Sequence, residues 1–404
     1  MSKLTLDKTK SYLLACSFGP DSMALFYMLL NQDFNFECAI VNYHLRKESN
    51  DEVKKLIDYA SKNNIKVHVL DYKGKYVGNI EAKCRQIRYS FFKDLVNKYG
   101  FDSVLVAHHQ DDLIETYLMQ KSRQNCPIFY GIKEETRING VKVIRPLLGF
   151  SKSALLKICK SNSIPFAVDK TNFDLSIKRN YIRHEIVMKM NEADRNDVLK
   201  KIDKENAKIS TILGSIDFLK LNDAKYVVSL DDLSQKYLLN YLVKDINEKY
   251  YLSRKNVGQI INILKSKKPN SFTHIKGSLH LYRAYDNFKI TDVKLEDVNY
   301  SYSMSSPSLL DAPFFYADFS KGASNRNVKD DDYPITIRKI RPGDYVYIKG
   351  YKVLARRLFI DWKMPLECRL VWPIILDKFG NPLYIPRYQK DFVPTKDSNF
   401  YVKY

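Results

Sequence analysis

Residues 17–22 read Ser-Phe-Gly-Pro-Asp-Ser and place two hydroxyl groups and a glycine in one short segment. An apolar run precedes them and another, at residues 23–30, follows, which predicts a strand, a tight loop and a helix. Gly19 would let an anion approach the backbone closely, and the amides at the start of the helix favour phosphate. Ser17 and Ser22 add hydroxyl donors. The segment therefore predicts a phosphate-binding loop.

Asp21 is unusual in such a loop because its negative charge repels phosphate. The lysine-bearing phosphate loop, Gly-x-x-x-x-Gly-Lys-Ser/Thr, does not occur in the chain. The aspartate is therefore expected to organise a Mg²⁺ ion or to receive a positively charged second substrate. An ordinary strand-to-helix turn, with Pro20 at the first helical position and Asp21 as the cap, stays open as an alternative.

A second group of polar residues lies at residues 107–116, which read Ala-His-His-Gln-Asp-Asp-Leu-Ile-Glu-Thr. Asp112 and Glu115 are expected on a helix that opens directly from a strand. Three interpretations remain open for them. The two acids could form a capping box. His108 could join them as metal ligands in a hydrolase. Alternatively, the carboxylates could bind an ammonium group while His108 stabilises the charge of phosphate.

Arginines on two predicted helices are candidates for holding an anion. A helix is expected over residues 80–99 with Asn79 as its N-cap, and Arg88 lies at the margin of its buried face. A guanidinium group at the margin of a core needs a fixed anion, for which nucleotide phosphate is suitable. Arg85 lies just beyond this margin, where an i, i+4 surface pair with Glu81 is an equally good explanation.

Arg179 and Arg183 form a second basic pair, because both fall on one face of a helix predicted over residues 179–185. Like charges at i, i+4 repel each other. An anion between the two guanidinium groups would relieve this repulsion, whereas a fully solvated face would merely tolerate it. Both alternatives remain open.

The elements that must position these residues alternate over the first part of the chain. Strands are predicted near residues 38–44, 66–70, 102–109 and 141–147, and helices begin near residues 51, 80, 111 and 151. This alternation is typical of an α/β fold with a doubly wound, mostly parallel sheet. Ligands in such folds gather at the carboxyl ends of the strands. We therefore expect the loop at 17–22, His44 and His108-His109 to converge on one crevice.

The chain is expected to contain three domains and two linkers. Changes in pattern place an α/β nucleotide-binding domain at 1–190, a helical linker at 191–222, a helical and mixed middle domain at 223–293, a second linker at 294–332 and a small β-rich C-terminal domain at 333–404. Polar, serine-rich stretches indicate the second linker. Short alternating runs between Pro-Gly and Gly-Asn-Pro turns predict the strands of the last domain.

The charge of the chain favours a polyanionic partner. The 404 residues have a formal net charge of +20, and residues 333–404 contain 14 Lys or Arg against 6 Asp or Glu. Aromatic residues are interleaved with these cations, as is common on nucleic-acid surfaces, at Tyr345, Tyr347, Tyr351, Phe359, Trp362 and Trp372. A lysine-rich solvated surface is the alternative.

The compartment is inferred from the cysteines and the apolar runs. Six scattered cysteines without a Cys-x-x-Cys pair are expected to be buried free thiols in a reducing cytosol. The apolar run after Lys10 is too short for a signal peptide, and no other run spans a bilayer. These observations predict a cytoplasmic protein with no membrane partner.

Taken in order, these segments resemble the tRNA(Ile)-lysidine synthetase family of PP-loop ATP pyrophosphatases. The resemblance covers nearly the whole chain, with a looser match in the middle. It rests on residues 17–22, 44–46, 78–89, 107–116, 145–148 and 179–184, and near the end of the chain on residues 341–344 and 358–365. The family loop usually has a glycine where this chain has Phe18. Phenylalanine would be strained there if the position requires a positive φ.

The resemblance implies an enzyme that uses ATP to attach free L-lysine to the cytidine at the first anticodon position of tRNA(Ile) with a CAU anticodon. The C2 oxygen of the base would attack the α-phosphate and release diphosphate, and the side-chain amine of lysine would then displace AMP. A tRNA thiolase with the same adenylation step and a nucleotide-regulated RNA-binding protein without catalysis are alternatives. Monomer and homodimer both stay open.

The resemblance also implies roles for individual residues. Asp21, which could hold Mg²⁺, would be catalytic together with Arg88, His108 and Arg179, and Asp112 with Glu115 would bind lysine. ATP would be bound by Ser17, Phe18, Gly19, Pro20, Asp21 and Ser22. Further contacts to phosphate or tRNA are expected from His44, Arg46, Arg85, Arg183, Arg356 and Arg357. The middle and last domains would bind the tRNA backbone.

Overall fold

The computed structural model describes residues 3–76, 78–123, 126–167, 178–246, 250–320, 328–388 and 400–402. The chain divides into two compact units, residues 1–210 and 211–404. This division falls within a helix at Glu192–Gly214, which covers most of the helical linker predicted at 191–222. Each unit has buried apolar clusters of its own.

The described residues of the first unit form a six-stranded sheet. Its strands are β1 Ser11–Ala15, β2 Asn35–Asn42, β3 Val67–Asp71, β4 Ser103–Val106, β5 Glu135–Ile138 and β6 Val141–Ile144. Their order is β3-β2-β1-β4-β6-β5, and only the edge strand β5 is antiparallel to its neighbour among these described strands. The predicted α/β class with a mostly parallel sheet is confirmed. The strand order reverses between β1 and β4, where ligand crevices form in such sheets.

Helices cover both faces of this sheet. They are α1 Pro20–Asn31, α2 Ser49–Lys62, α3 Ile80–Tyr99, α4 Gln110–Ser122, α5 Lys152–Ser161, α6 Lys178–Tyr181, which continues as a π-helix at Ile182–Ile186 and a 3-10 helix at Val187–Lys189, and α7 Glu192–Gly214. Successive residues of a strand point to opposite faces. Leu14 therefore joins the core beneath α1, α2 and α5, while Leu13 packs with α3. The predicted doubly wound arrangement is confirmed.

Helix α3 has the bounds that its sequence pattern predicts. The Asn79 side chain caps it by accepting a hydrogen bond from the Ala82 amide at 3.0 Å. Gly100 ends it with a φ of +74°, a conformation that costs glycine little. Strand β5 was not predicted, because its four residues, Glu-Thr-Arg-Ile, carry no extended apolar pattern.

The second unit begins with a helical and mixed region. Helices α8 Ala224–Ser229, α9 Asp232–Ile246 and α10 Arg254–Lys265 share an apolar core with an antiparallel sheet of β7 Asn270–Lys276, β8 Leu279–Ala284 and β9 Asn287–Thr291. The helical and mixed character predicted for residues 223–293 is confirmed.

The rest of the second unit is rich in strands. These are β10 Ser301–Met304, β11 Leu309–Asp311, β12 Phe315–Asp318, β13 Ile335–Lys339, β14 Tyr345–Ile348, β15 Tyr351–Leu354, β16 Pro373–Leu376, β17 Pro382–Tyr384 and β18 Phe400–Val402. Two helices, α11 Ala355–Asp361 and α12 Leu366–Val371, follow β15. The strands form two larger sheets, β10-β13-β16-β17 and β11-β12-β18, and a hairpin, β14-β15. The predicted β-rich C-terminal region is confirmed.

The prediction of a linker at residues 294–332 is wrong for residues 301–318. These residues form β10, β11 and β12, because β10 pairs with β13 and β12 pairs with β18. Hydrogen bonding to distant strands thus overrides a local composition typical of loops. Residues 321–327 of the same predicted linker lie outside the described residues. None of the helices described is long and apolar enough to span a bilayer.

Candidate nucleotide-binding site

The loop between β1 and α1 is closed by its own hydrogen bonds. Helix α1 begins at Pro20, with Gly19 as its N-cap residue and Asp21 in its first turn. The alternative in which Asp21 caps the helix is therefore wrong, whereas Pro20 does occupy the first helical position. The Ser22 hydroxyl accepts a bond from the Ser17 amide at 3.3 Å and donates to the Gly19 carbonyl at 2.9 Å. These bonds hold the loop in a defined conformation.

Phe18 has a φ of +57° and a side chain that is only 1% exposed. A non-glycine residue in this conformation costs about 1–2 kcal/mol. Its ring lies in the core shared by α1, α2 and α5, and its carbonyl accepts a hydrogen bond from the Ala167 amide at 2.9 Å. The position does require a positive φ, and burial of the ring offsets the strain.

A cavity of about 270 Å³ lies beside the loop, at the carboxyl ends of the central strands. The loop, the ends of β2 and β4, and helix α3 contribute its wall, with side chains that include Ser17, Asp21, Ser22, Tyr43, Arg85, Arg88, His108 and Asp112. The predicted convergence of distant segments on one crevice is confirmed for the loop and for His108.

His44 and Arg46 are bound elsewhere. The His44 imidazole pairs with the Asp71 carboxylate at the end of β3, and Arg46 Nη2 lies 3.0 Å from Glu52 Oε2 on α2. The expectation that His44 faces the crevice is wrong, because the chain turns after β2 and places Tyr43 on the cavity wall instead.

Asp21 is neutralised by a cation from a distant segment. Lys152, the first residue of α5, places Nζ 2.6 Å from each carboxylate oxygen of Asp21. On the other side, Nε2 of the buried His109 lies 3.7 Å from Asp21 Oδ2 and 3.4 Å from Asp112 Oδ2. The loop aspartate and the acidic segment therefore meet through one imidazole.

Asp112 and Glu115 are bound by the two arginines that were predicted to share a face. Arg179 donates to Glu115 Oε2 at 3.0 Å and to Asp112 Oδ1 at 3.1 Å. Arg183 donates from Nε to Glu115 Oε1 at 2.6 Å and from Nη2 to Glu115 Oε2 at 3.0 Å. An anion does lie between the arginines, and it is the protein's own acidic pair. Glu115 is 0% exposed, so its charge depends on these partners.

The ionisation of this cluster follows from its charges. Burial by itself would raise the pKa of Asp112, but His109, His108 and Arg179 outweigh it and hold the pKa below its usual value. Burial opposes the charge of Arg183, yet the bonds and charge of Glu115 raise its pKa. Asp112 is therefore ionised and Arg183 charged.

The alternatives for the acidic segment can now be compared. Asp112 does cap α4, by accepting a bond from the His109 amide at 3.1 Å, but its partner in the capping box is His109 and not Glu115. The arginine contacts disfavour the metal-ligand interpretation of His108, Asp112 and Glu115. No group of three or more His, Cys, Asp or Glu side chains within the described ranges could hold a metal.

His108 lies on the cavity wall with one ring nitrogen already engaged. Arg145 Nε donates to His108 Nδ1 at 3.3 Å, so that Nδ1 is the acceptor and Nε2 carries the proton in the neutral ring. Burial lowers the pKa of His108 to about 4, and the charge of Arg145 adds to this effect while Asp112 opposes it. At neutral pH the ring is an uncharged hydrogen-bond donor.

Arg85 and Arg88 present guanidinium groups to the cavity from α3. Arg88 Nε donates to the Tyr43 hydroxyl at 3.3 Å, and Arg85 lies over the Tyr89 ring at 4.8 Å. Within the described part of the chain, neither guanidinium has a carboxylate within 4.0 Å. The surface pair of Arg85 with Glu81 is thus not formed, and both cations are available for an anion.

Sequence reasoning missed several residues of this site. Lys152 contacts Asp21, Arg145 contacts His108, and Arg195 binds Asp111 at 2.9 and 3.1 Å. One signal was present for Lys152, because its helix was predicted to begin directly after a strand. The same logic that placed the loop at the carboxyl edge of the sheet also places the start of α5 there.

The second unit contains the remaining candidate residues. Arg356 and Arg357 lie exposed on α11, and Arg357 Nε is 3.3 Å from Asp361 Oδ1. The hairpin β14-β15 exposes Tyr351 (77%) and Tyr347, whereas Phe359 and Trp372 are core residues. The interleaved aromatic pattern is therefore partly a core pattern, since only some of its members reach solvent.

A parallel α/β sheet with a Ser-x-Gly-x-Asp-Ser loop at its switch point defines a PP-loop nucleotide-binding domain. The family model for the PP-loop domain matches residues 1–190. The tRNA(Ile)-lysidine synthase of Ureaplasma parvum serovar 3 is 35% identical over 71% of this chain and 93% of that protein. The corresponding protein of Malacoplasma penetrans is 31% identical over 72% of this chain and 98% of its own length.

The tRNA(Ile)-lysidine synthase of Mycoplasma mycoides subsp. mycoides is 28% identical over 97% of this chain and 100% of that protein. The chain belongs to the tRNA(Ile)-lysidine synthase family. The expected family is thus confirmed, and it favours the lysine-ligase interpretation over the thiolase and the non-catalytic alternatives. The six cysteines are buried and free, as predicted.

Proposed function

We propose that this chain attaches L-lysine to C2 of the cytidine at the first anticodon position of tRNA(Ile) with a CAU anticodon. ATP would be consumed, and AMP and diphosphate released. One observation carries the proposal for the site: Asp21 of the nucleotide loop and Asp112 of the acidic segment line one cavity and contact the same imidazole, that of His109. The loop proposed to bind phosphate and the acidic pair proposed to bind the amine are therefore adjacent.

In the first step, the C2 oxygen of the base attacks the α-phosphate, and diphosphate leaves. The loop amides and the hydroxyls of Ser17 and Ser22 would donate to the phosphates. Arg88 and Arg85, with no carboxylate partner in the described residues, would neutralise the charge of the leaving diphosphate. Neutral His108 would donate from Nε2 to a phosphate oxygen, since Arg145 occupies its other nitrogen.

In the second step, the side-chain amine of lysine attacks C2 of the base, and AMP leaves. Asp112 would bind the α-ammonium group of lysine, and Glu115 would support it through the arginine network. Free lysine also carries a carboxylate, which Arg179 could receive in exchange for its own acidic partners. The reacting amine must lose a proton before it attacks, and a nearby carboxylate could accept it.

Asp21 would be the protein ligand of a Mg²⁺ ion once the Lys152 ammonium group leaves its two carboxylate oxygens. Proteins hold this ion with one or two carboxylates and complete its shell with phosphate oxygens and water. The Asp21 carboxylate faces the cavity beside the loop. When bound there, the ion would place positive charge beside the triphosphate. The loop amides and hydroxyls would still donate hydrogen bonds to the phosphates.

The second unit offers a surface suited to the tRNA. The exposed rings of Tyr347 and Tyr351 could stack on unpaired bases, and the exposed Arg356 and Arg357 could contact phosphates. Because tRNA is aminoacylated and used in translation in the cytoplasm, we propose that the reaction takes place there.

The decisive experiment follows radiolabelled lysine. We expect purified enzyme, ATP and tRNA(Ile) transcript with a CAU anticodon to transfer label to the tRNA, and to catalyse ATP–diphosphate exchange only when the tRNA is present. Asp112→Asn should lose lysine incorporation while Asp94→Asn, an exposed change on α3, should retain it. Exchange without tRNA dependence, or no label in the tRNA, would contradict the proposal.

A further inference from the structure

The loop at 17–22 contains neither lysine nor arginine. Triphosphate sites usually hold a cation directly against the phosphates, because a charged donor binds them more strongly than a neutral one. A cation for the loop must therefore come from another segment. Lys152 brings one to the loop, since its Nζ lies 2.6 Å from both carboxylate oxygens of Asp21.

We propose that Lys152 is a nucleotide-binding residue, whose ammonium group passes from Asp21 to the triphosphate when ATP enters the loop. The inference rests on the proposed ATP-dependent function and adds one residue to it. Lys152 would complete the phosphate site that Ser17, Gly19 and Ser22 begin.

The backbone of Lys152 is fixed while its side chain is long and flexible. Its amide donates to Asp111 Oδ1 at 3.1 Å, and Arg195 in turn holds both oxygens of Asp111. The hydroxyl of Ser151 caps α5 by accepting from the Ala154 amide at 3.3 Å. The four-carbon side chain of lysine can therefore turn its ammonium group over several ångströms without moving the helix.

Electrostatics favours the same role. A lone Asp21 carboxylate would repel a triphosphate, and pairing with Lys152 removes that repulsion in the free protein. Helices α3 and α5 pack on opposite faces of the sheet. Lys152 therefore approaches the loop from a different side than Arg88, so that the two cations can hold different phosphate oxygens.

A purely structural role explains the ion pair less well. Partly exposed ion pairs contribute little to stability, and the side chains of Lys152 and Asp21 are 35% and 25% exposed. Helices α1 and α5 are already joined by a buried apolar core, and Cys159 Sγ donates to the Pro20 carbonyl at 3.3 Å. The contact between Lys152 and Asp21 is thus not needed to hold the helices together.

The test measures ligand affinity in the full-length chain by calorimetry. We expect Lys152→Met to weaken binding of a non-hydrolysable ATP analogue by about 10- to 100-fold, the range of one charge-assisted hydrogen bond, and to change the affinity for adenosine less than about twofold. Lys160→Met removes an exposed lysine from the same helix and should match the wild type. Unchanged affinity of Lys152→Met for the ATP analogue overturns the proposal, as does an equal loss for adenosine.

Two further variants separate a phosphate contact from simple neutralisation of Asp21. Lys152→Arg keeps the charge and should recover most of the lost affinity for the ATP analogue. The double variant Asp21→Asn/Lys152→Met should bind the ATP analogue at least about 10-fold more weakly than Asp21→Asn alone. If the double variant binds the ATP analogue as tightly as Asp21→Asn does, Lys152 acts only through the aspartate and the proposal is wrong. Thermal melting of each variant establishes that it is folded.

Failure of this inference is distinguishable from failure of the proposed function. Binding of the ATP analogue and of adenosine is measured without tRNA or lysine. If the wild type binds the ATP analogue but transfers no lysine to tRNA, the proposed function fails while the role of Lys152 is still decided by its own variants.

Discussion

Phe18 provides a sharp test of the physical reasoning, because two opposing effects meet in one residue. Its φ of +57° is unfavourable for any side chain with a Cβ, whereas its ring is almost completely buried. Phe18→Ala removes the ring and keeps the backbone strain. Phe18→Gly removes both. The two variants therefore differ in the strain, and each differs from the wild type by the ring.

The magnitudes predict an unusual order of stability. Loss of a buried phenylalanine ring costs about 3–5 kcal/mol in either variant. Glycine then recovers about 1–2 kcal/mol of backbone strain and loses about 0.5–1 kcal/mol through its larger unfolded-state entropy. We therefore expect Phe18→Gly to be more stable than Phe18→Ala by up to about 1.5 kcal/mol, although glycine is usually the more destabilising residue.

Urea denaturation followed by fluorescence would measure both free energies of unfolding. In thermal melts, a difference of about 1 kcal/mol corresponds to about 2–4 °C for a unit of this size. Ser163→Gly is a matched control, since Ser163 has a φ of +51° and an exposed side chain, and this variant should gain stability without losing a ring. If Phe18→Gly unfolds more easily than Phe18→Ala, the backbone of Phe18 is not strained and the reasoning is refuted.

Three other predictions concern the buried ionisable groups of the site and the surface proposed to bind tRNA. Because burial holds the pKa of His108 at about 4, against 6.5 for an ordinary histidine, its unfolded form binds more protons between these values. The stability that His108 contributes is therefore complete above pH 6.5 and falls towards pH 4 by about 1.4 kcal/mol per pH unit, which urea melts of the wild type against His108→Asn will measure. Glu115→Gln removes the fully buried carboxylate that holds Arg179 and Arg183, leaves them only Asp112, and should lower the free energy of unfolding by about 3–5 kcal/mol in denaturant titrations. Arg357→Ala should weaken tRNA binding and reduce its salt slope by about 1, whereas Tyr351→Ala should weaken it by about 1–3 kcal/mol with little change of slope in filter-binding assays.

Each of these outcomes has a clear contradiction. Parallel pH profiles of the wild type and His108→Asn would show that His108 titrates normally in the folded protein. If Glu115→Gln unfolds with the same free energy as the wild type, hydration of Arg179 and Arg183 replaces their contacts with Glu115. Equal salt slopes for Arg357→Ala and the wild type would remove Arg357 from the tRNA-contacting surface.

Local sequence patterns accounted well for the elements of the first unit. The limits of α3 were predictable because Asn79 and Gly100 specify where a helix begins and ends, whatever packs against it. Strand β5 and strands β10 to β12 were not predictable in the same way. Their residues become strands only by pairing with β6, β13 and β18, and composition alone cannot indicate such distant partners.

The residues of the candidate site likewise divide into those that the sequence predicted and those that it did not. Parallel strands end at one edge of a sheet, so the meeting of the loop at 17–22 with His108 and Asp112 followed from the order of elements. His44 does lie at that edge, after the end of β2, but its imidazole pairs with Asp71 at the end of β3 and does not line the cavity. A shift of one residue decides which side chain faces a cavity, and spacing does not determine that shift.

The sequence by itself determined the fold class, the family and the type of chemistry, because these depend on periodicity and on short motifs. Only the tertiary structure decided which charges neutralise one another. Lys152 reaches Asp21 across 131 positions of the chain, and Arg179 and Arg183 reach Glu115 across 64 and 68. Ion pairing depends on the distance between atoms in space, which the folded backbone sets and the linear order of residues does not.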